Sequence, residues 1–446
     1  MAQSQSNPAT AIANLFKTPE LKSRIGFTLL CLVVYRVGAH ITAPGIDVQA
    51  LLDFFKSQQG GGLLGLYDLF VGGGLSRATL FALGIIPYIS ASIVFQILGA
   101  VLPSVEKMQR EEQGRKRVEQ WTRYMTVGIA IMQAWGFALF TESLQGAVAH
   151  PGFGFRLQMT LFLTTGAMFV TWMGEQITER GVGNGASLLI FFSIVEGFWP
   201  AIVQTMNFVT TGALSPFKLA ILAVVMLGVV AGTVAITVAA RRVPIQIPQR
   251  TMARGRQRES AKNFIPLRMN AANVMPIIFA QTVIVVPGTI AQFSKAPWAQ
   301  AVAEYMQPGT WLYYALTAFL IVFFTYFYTS IIFNPIDIAE NLKKQGGFIP
   351  GVKPGGKTAE YIDRVMSRIT MPGAIFLTLI ALLPFWVLEM INVPFRFGGT
   401  SLLIVVGVGL DTIQQLQQHL LLRKYDGFMK KGRIRVRGRQ GATGGF

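Results

Sequence analysis

The chain has 446 residues, of which 52% are hydrophobic and only 13% are charged, and its net charge is +18. In a soluble protein that charge would indicate a nucleic-acid partner, but here the basic residues lie in gaps between long apolar stretches. The single cysteine, Cys31, excludes a disulfide framework within the chain, and the three scattered histidines complete no Cys/His metal cluster, so no cofactor is predicted.

Ten apolar stretches, each long enough to cross a bilayer, follow one another along the chain. A hydrocarbon core about 30 Å thick needs roughly 20 helical residues, and helices keep their backbone groups paired where no water is present. We number these predicted spans 1 to 10, at residues 24–41, 78–101, 121–141, 158–178, 185–205, 217–240, 267–292, 310–331, 369–388 and 400–420. The sequence therefore predicts an all-α membrane protein with ten transmembrane helices.

The basic residues predict the orientation of these spans. About 32 of the 39 Lys and Arg lie in the N-terminal segment 1–23, the even-numbered loops and the basic tail 421–446. An excess of Lys and Arg marks cytoplasmic loops, so both chain ends are expected on the cytoplasmic side. The N-terminal segment is polar and lacks an apolar core, so it is not expected to be a cleaved signal peptide.

Ten spans divide into two halves of five, residues 24–210 and 211–420. An odd number of spans per half gives the halves opposite orientations, and inverted repeats place the working site between them on interrupted helices. Spans 2, 5, 7 and 10 are the interrupted ones, because each contains a proline or a polar residue. Pro87, Glu196, Pro276 and Asp411 are the main examples.

Two cytoplasmic loops, about 241–266 and 332–368, are long and basic. One interpretation is topology determination together with contact with anionic lipid headgroups. The other is a docking surface for a large soluble partner such as a ribosome, whose RNA would attract basic loops. Their length favours docking over simple connection.

Residues 351–358, GVKPGGKT, satisfy the phosphate-loop pattern G-x-x-x-x-G-K-T. That chemistry needs a buried strand before the loop, so that backbone N–H groups at the following helix hold the phosphates. No strand pattern precedes this motif, and Pro350 and Pro354 remove donors. The segment is therefore predicted to be a rigid exposed turn with no direct nucleotide binding.

Several runs resemble the SecY family of bacterial protein-translocation channels, and they occur in family order over nearly the whole chain. They are residues 44–47 (PGID), 81–92 (FALGIIPYISAS), 174–185 (GEQITERGVGNG), 333–335 (FNP), 341–344 (NLKK) and 397–404 (FGGTSLLI). The resemblance implies two pseudo-symmetric five-helix halves around a central hourglass pore. It also implies transport of secretory chains and lateral release of membrane helices, with no enzyme activity of its own.

The resemblance implies a pore ring of aliphatic side chains at Ile85, Ile89, Ile190, Ile194, Ile278 and Ile404. A narrow collar of such side chains resists wetting and would block ions. It further implies a plug within about residues 62–76, carried by Leu63, Leu64, Leu66, Leu69, Phe70 and Val71. The alternative for this segment is an external loop with a helix lying at the membrane surface.

Spans 2 and 7, together with 3 and 8, would form a lateral gate. Polar side chains there are expected to form weak hydrogen bonds across the closed seam. Those named are Ser90, Ser92, Asn270, Asn273, Gln281 and Thr282.

The resemblance implies docking of the ATPase SecA and of the ribosome on the basic loops, through Arg254, Arg256, Arg258, Lys353 and Lys357. The family commonly has arginine at the position of Lys353, so a bidentate contact there is not expected. SecE and SecG are the implied membrane partners, and signal peptides and unfolded polypeptides are the implied substrates. The bacterial inner membrane is the implied location.

Two other classes remain as alternatives. A secondary transporter would place ionisable groups at the membrane midplane, where Glu196 and Asp411 are the main candidates. A membrane-embedded enzyme would need paired aspartates, a metal motif or a serine–histidine pair, and the sequence has none of these at suitable positions.

Overall fold

A computed structural model of the chain describes residues 19–57, 62–212, 215–246, 263–293, 296–391 and 399–431. Its elements in chain order are α1 (Pro19–Gly38), α2 (Val48–Ser57), α3 (Leu63–Phe70), α4 (Ile86–Val101), α5 (Pro103–Arg110), α6 (Glu112–Ser143), α7 (Phe153–Arg180), α8 (Gly185–Thr210), α9 (Pro216–Val238), β1 (Ala240–Ile245), β2 (Asn263–Arg268), α10 (Met275–Phe293), α11 (Pro297–Tyr305), α12 (Trp311–Ile332), α13 (Pro335–Lys344), α14 (Gly356–Ile391) and α15 (Gly399–Lys431).

A long helix covers most of every predicted span. Among the described residues, seven helices are long and apolar enough to cross a membrane, or up to eight when α4 and α5, bent by 112°, count as one span. The fold is therefore that of an all-α, multi-span membrane protein, as the sequence predicts. α1 and α7 are less apolar, yet both expose large apolar side chains such as Leu30 and Leu161. The count of ten spans stays a prediction.

Helices α4 and α10 begin later than predicted for spans 2 and 7. α4 starts at Ile86 with Pro87 in its first turn, and α10 starts at Met275 with Pro276 in the same place. Proline lacks an N–H and is favoured in the first turn of a helix, where that donor would be unpaired in any case, so Pro87 and Pro276 mark the starts of these two helices. Residues 78–85 form turns instead, and Ala78 there has a φ of 47°.

The two halves repeat one packing order. In the first half, α1 packs on α7, α4 on α6, α6 on α7, and α7 on α8. In the second half, α9 packs on α14, α10 on α12, α12 on α14, and α14 on α15. Numbered as spans, these contacts are 1–4, 2–3, 3–4 and 4–5, followed by 6–9, 7–8, 8–9 and 9–10. The second half adds an extensive contact of α9 with α15, spans 6 and 10, to which no comparable contact of α1 with α8 corresponds in the first half. The four contacts that recur in both halves are what an internal repeat of five spans predicts.

The halves meet along two lines. On one, α8 packs against α15, and on the other α4 and α6 pack against α10. The short helix α3 lies between the halves, in contact with α8 and α10. One continuous hydrophobic core includes residues of all these helices, so the region between the halves is packed rather than open.

Candidate functional site

The isoleucines predicted to form a pore ring are all buried between the halves, each at most 5% exposed. Four of them, Ile85, Ile89, Ile190 and Ile278, line one end of a cavity of about 890 Å³ that is open on the side carrying Arg115, Lys116 and Glu119. Ile194 and Ile404 are completely buried and line neither this cavity nor the small one described next. Structurally, therefore, four of the six residues form the apolar end of the wide cavity.

Beyond these isoleucines lies a second, very small cavity of about 10 Å³. A site of that volume holds at most about one water molecule. Its lining includes Ile89, Ile190 and Ile278 on one side and Phe70 of α3 on another. The aliphatic side chains thus separate a wide cavity from a space too small for continuous water.

Helix α3 closes this small space, and all eight of its residues are buried. A helix lying at the membrane surface would expose one face, so the alternative of an external interfacial helix is wrong for this segment. The six residues predicted for the plug are all among the buried ones. Leu63 packs so closely on Gly288 of α10 that a Cβ atom added to this glycine would lie 2.5 Å from Leu63 Cδ1.

Hydrogen bonds hold the C-terminal end of α3 to the surrounding turns. The Tyr67 hydroxyl donates to the Leu83 carbonyl at 3.1 Å, and the Asp68 carboxylate accepts from the Ser76 N–H at 2.8 Å. Because both bonds are buried, breaking either one leaves a polar group without water. Neither Tyr67 nor Asp68 was predicted from the sequence.

Helices α1 and α8 meet beside the end of α3. The Tyr35 hydroxyl lies 2.8 Å from Ser193 Oγ, and Arg36 forms a salt bridge with Glu196. Gly72 packs against Ser193 here, because an added Cβ would lie 3.3 Å from the Ser193 Cα atom. Two adjacent contacts therefore fix α1 to α8 at the point where the chain leaves α3.

The wide cavity has a polar mouth that sequence reasoning missed. Arg123 and Glu175 form a bidentate pair, with Nε and Nη2 each 2.9 Å from a carboxylate oxygen. This planar fork geometry gives the strongest type of protein ion pair. Glu175 lies in residues 174–185, one of the runs that resemble the SecY family. That resemblance was the only feature of the sequence that pointed to this residue. The mouth carries both signs of charge, whereas the far end is aliphatic.

The polar residues predicted at the lateral gate do not form the bonds expected of them. Ser90 and Thr282 donate to carbonyls four residues earlier in their own helices, at 3.0 and 2.7 Å. Hydroxyls within helices often bond in this way because the i−4 carbonyl is the nearest acceptor. Ser92 accepts from Gln96, also on its own helix, at 2.8 Å.

The remaining three predicted gate residues bond inside the second half. Asn270 donates to the Asn273 carbonyl, and Asn273 donates to the Asp411 carboxylate of α15, both at 2.9 Å. Gln281 accepts from Tyr313 of α12 at 3.5 Å. Among the side-chain hydrogen bonds of the described residues, the one that joins the two halves is instead donated by Tyr328 of α12 to Gln96 of α4.

The two basic loops form one unit, which was not predicted. β1 and β2 pair as an antiparallel ribbon, and Gln246 and Phe348 exchange two backbone hydrogen bonds of 2.9 Å between the loops. A separate apolar cluster lies beneath, including Val243, Leu267 and Ile362. The alternation of apolar residues at 243, 245 and 247 was the signal for a strand.

Lys353 and Lys357 are exposed on this unit, and the Lys357 ammonium lies 2.9 Å from a Glu360 carboxylate oxygen. Arg254, Arg256 and Arg258 lie outside the described residues. In the phosphate-loop-like segment, the Thr358 hydroxyl donates to the Lys353 carbonyl at 2.9 Å. The residues directly before this turn contain an isolated bridge at Phe348 instead of a strand. Residues 351–355 form the predicted turn, but residues 356–358 begin α14 and Thr358 is buried, so the prediction of an exposed turn is right only for the first part of the segment.

The two deep acids named for a transporter have structural partners. Glu196 pairs with Arg36, and Asp411 accepts from Asn273 and from Gln415, at 2.9 and 3.0 Å. Neither acid lines the wide or the small cavity. This arrangement does not resemble a midplane ion site, where such groups face the transport path.

The fold and site define a multi-span helical membrane protein with a wide cavity that ends at buried isoleucines, beside the buried helix α3. The SecY family profile matches residues 79–413. The protein translocase subunit SecY of Aquifex aeolicus is 43% identical over 94% of this chain and 98% of its own length. The protein translocase subunit SecY of Escherichia coli K12 is 42% identical over 94% of this chain and 96% of its own length. This chain belongs to the SecY family.

Solved structures of low sequence identity share the fold. A structure described as a protein-conducting channel has a TM-score of 0.65 at 14% identity and covers 93% of this chain and 95% of its own. A SecY structure concerned with a plug domain that stabilises the closed channel has a TM-score of 0.66 at 16% identity, with the same coverage. Sec61 in a canine ribosome–channel complex has a TM-score of 0.62 at 14% identity, again with coverage of 93% and 95%.

Proposed function

We propose that this chain is the channel-forming subunit of a general secretory translocon. It passes unfolded polypeptides across the membrane and releases transmembrane segments sideways into lipid. One arrangement supports this proposal above all: four isoleucines stand between a wide open cavity and a buried helix. The relatives named protein translocase subunit and the solved channels of the same fold agree with it.

In the resting state, the isoleucines and α3 act as two partial seals, and the path is closed to ions only while both are in place. An ion entering an aliphatic constriction loses its water without gaining a hydrogen bond, and the cost of that transfer is large. The small cavity between the seals has almost no room for water. Ile194 and Ile404, buried behind the lining residues, support the ring by packing.

During transport, the ring contacts any unfolded chain without selecting a sequence, because aliphatic side chains offer no hydrogen bond. α3 must leave its place, since its Phe70 lines the small cavity beyond the ring. A sufficiently apolar segment then leaves between the halves and partitions into lipid by its own transfer free energy. The line where α4 and α6 meet α10 is the proposed exit.

Transport needs an energy source and partners outside this chain. We assign SecA and the ribosome to the exposed unit built from the two basic loops, with Lys353 and Lys357 at its surface. SecE and SecG are the proposed membrane partners. The proposed location is the bacterial inner membrane, with both chain ends in the cytoplasm, as the basic loops indicate.

The decisive experiment replaces Ile85, Ile89, Ile190 and Ile278 by serine and measures resting ion conductance in planar bilayers. We expect an increase on the order of tenfold or more, because hydroxyls let water enter the constriction. The matched control is Ile277→Ser, which alters a buried isoleucine beside the ring that lines neither cavity. We expect this control variant to keep the resting ion conductance of the wild type.

Unchanged conductance in the fourfold variant, with the protein inserted normally, would rule out the ring as the ion seal. Failure of the wild-type chain and its partners to move a secretory polypeptide into vesicles would rule out the channel function itself. A pH- or sodium-dependent flux of small solutes would instead support the transporter alternative.

A further inference from the structure

The charged side chains that line the wide cavity balance one another. In the described part of the chain, the lining contains three basic and three acidic residues, namely Arg115, Lys116, Arg123, Glu119, Glu175 and Glu179. The whole chain, by contrast, carries a net charge of +18. The mouth of the cavity is therefore close to neutral, although the protein as a whole is strongly basic.

The Arg123–Glu175 pair is the most constrained part of this lining. Arg123 Nε and Nη2 each donate to a different oxygen of the Glu175 carboxylate at 2.9 Å, so both charges are held in one planar fork. Arg115 and Glu119, one helical turn apart on α6, approach only to 3.7 Å, and both side chains are exposed. An exposed pair of that kind holds its two charges together only weakly. Arg123 and Glu175 therefore fix the charge balance of the lining more firmly than this exposed pair does.

The Arg123–Glu175 pair lies next to the isoleucine ring. Gly174 directly precedes Glu175 in α7 and packs against Ile85, because a Cβ atom added to Gly174 would lie 2.9 Å from Ile85 Cδ1. Arg123 and Glu175 both line the cavity that ends at the ring. A polypeptide on the proposed path therefore passes these two charges before it reaches the aliphatic constriction.

An unpaired charge at this place would act strongly on the side chains of a passing polypeptide. A cleft with low-dielectric walls and one sign of charge focuses the electric field, so it attracts opposite charges and repels like ones. The aliphatic ring just beyond offers no hydrogen bond to a charged side chain that is losing its water. The barrier to entry would then depend on the sign of the charge in the polypeptide.

We propose that the Arg123–Glu175 pair keeps the approach to the ring neutral, so that acidic and basic segments of a polypeptide enter at similar rates. The proposal rests on the proposed channel function and extends it, because it assigns the tolerance of charged sequences to two named residues. Each of the two residues cancels the charge of the other, so the pair as a whole neither attracts nor repels a passing side chain.

The test uses the full chain with its partners in inverted membrane vesicles. The secretory substrates share one signal segment and differ only in a short tract of lysine, aspartate or serine behind it. The measured quantity is the rate at which a cysteine beside the tract becomes protected from an impermeant thiol reagent outside the vesicles, relative to the serine substrate. No membrane potential is applied, because it would itself act on the charged tract.

The two single variants should shift these rates in opposite directions. Glu175→Gln leaves the positive charge of Arg123, so the ratio of the lysine rate to the aspartate rate should fall about three- to tenfold, the scale of one charge interaction in a partly exposed site. Arg123→Gln leaves the carboxylate of Glu175, so the same ratio should rise by a similar factor. Both shifts should shrink at high ionic strength, because the mouth is open to solvent.

Two further variants separate charge balance from the simple fastening of α6 to α7. The double variant Arg123→Gln with Glu175→Gln has no ion pair but is neutral, so its ratio should return to the wild-type value. The matched control is Glu142→Gln, which breaks a salt bridge of 2.7 Å to Arg156 between the same two helices. That salt bridge lines neither cavity, so its loss should leave the ratio unchanged.

Four outcomes would overturn the proposal. These are shifts of the same sign in the two single variants, no shift in either, a double variant that keeps the shift of a single one, or an equal shift in Glu142→Gln. In each of these cases, normal transport of the serine substrate by the wild type would leave the channel function standing. Failure of the wild-type chain to transport the serine substrate would overturn the channel function instead.

Discussion

At the scale of single residues, the close contact between α3 and α10 depends on one glycine. Gly288 of α10 faces Leu63, and a Cβ atom there would lie 2.5 Å from Leu63 Cδ1. The plug helix can therefore sit against α10 only where the side chain is absent. This requirement is invisible in the sequence, because glycine is common in packed membrane helices.

We predict that Gly288→Val will loosen the plug. Overpacking a well-filled contact costs about 1–3 kcal/mol, and each 1.4 kcal/mol shifts an equilibrium by about tenfold. The displaced plug should raise resting ion conductance and increase labelling of a cysteine placed on α3. The control is Gly228→Val in α9, where an added Cβ meets no atom within 4 Å. Equal behaviour of the two variants would contradict the close contact.

The buried isoleucines could be named from the sequence only through resemblance, since isoleucine is common in every span. Polar residues were less predictable. Ser90 and Thr282 bond to their own helices, whereas Gln96 reaches Tyr328, although all of them lie on helices at the seam. A hydroxyl has a near acceptor in any helix, while a long amide can cross to a neighbour. Which side chain crosses depends on the packing of the two helices.

At the scale of elements, the paired basic loops are the main addition to the predicted fold. Gln246 and Phe348 join the loops through their backbones, and Leu267 is fully buried beneath them. A joined pair of loops keeps its charges at fixed positions, which two separate loops would not. Lys353 and Lys357 are thus presented on a supported surface, as docking requires.

We predict that reversing both charges, in Lys353→Glu with Lys357→Glu, will reduce partner-driven transport roughly three- to tenfold. Charges at the rim of an interface act mainly on the rate of association, so the loss should be greatest at low ionic strength, where screening is weakest. Transport assayed at limiting SecA concentration measures this effect. The control, Lys56→Glu on the opposite side, should transport normally. Normal transport by the double variant would exclude the contact.

At the scale of the whole molecule, the two halves share four helix contacts. Contacts 1–4, 2–3, 3–4 and 4–5 recur as 6–9, 7–8, 8–9 and 9–10, and the second half adds a contact between spans 6 and 10. Such a repeat can be inferred from the number of spans, although no residue-level repeat is visible. If each half has five spans, the two halves cross the membrane in opposite directions. The basic loops then all lie on one side.

We predict that residues 145 and 353 face opposite sides of the membrane. Cys31→Ser removes the only cysteine, and Gln145→Cys or Lys353→Cys then adds one exposed site. An impermeant thiol reagent applied to intact cells should label position 145, and it should label position 353 only after the membrane is opened. The positive-inside distribution of Lys and Arg is the physical reason. Labelling of both sites from one side would contradict the topology.

The sequence by itself determined the class of the protein and the approximate spans, because hydropathy acts on each segment separately. The side of the basic loops is its prediction from the distribution of charge. Only the tertiary structure decided that α3 is buried, that spans 2 and 7 start at their prolines, and that Gln96 meets Tyr328. Those features depend on which side chains share a space between helices. Periodicity along one helix carries no information about its neighbour.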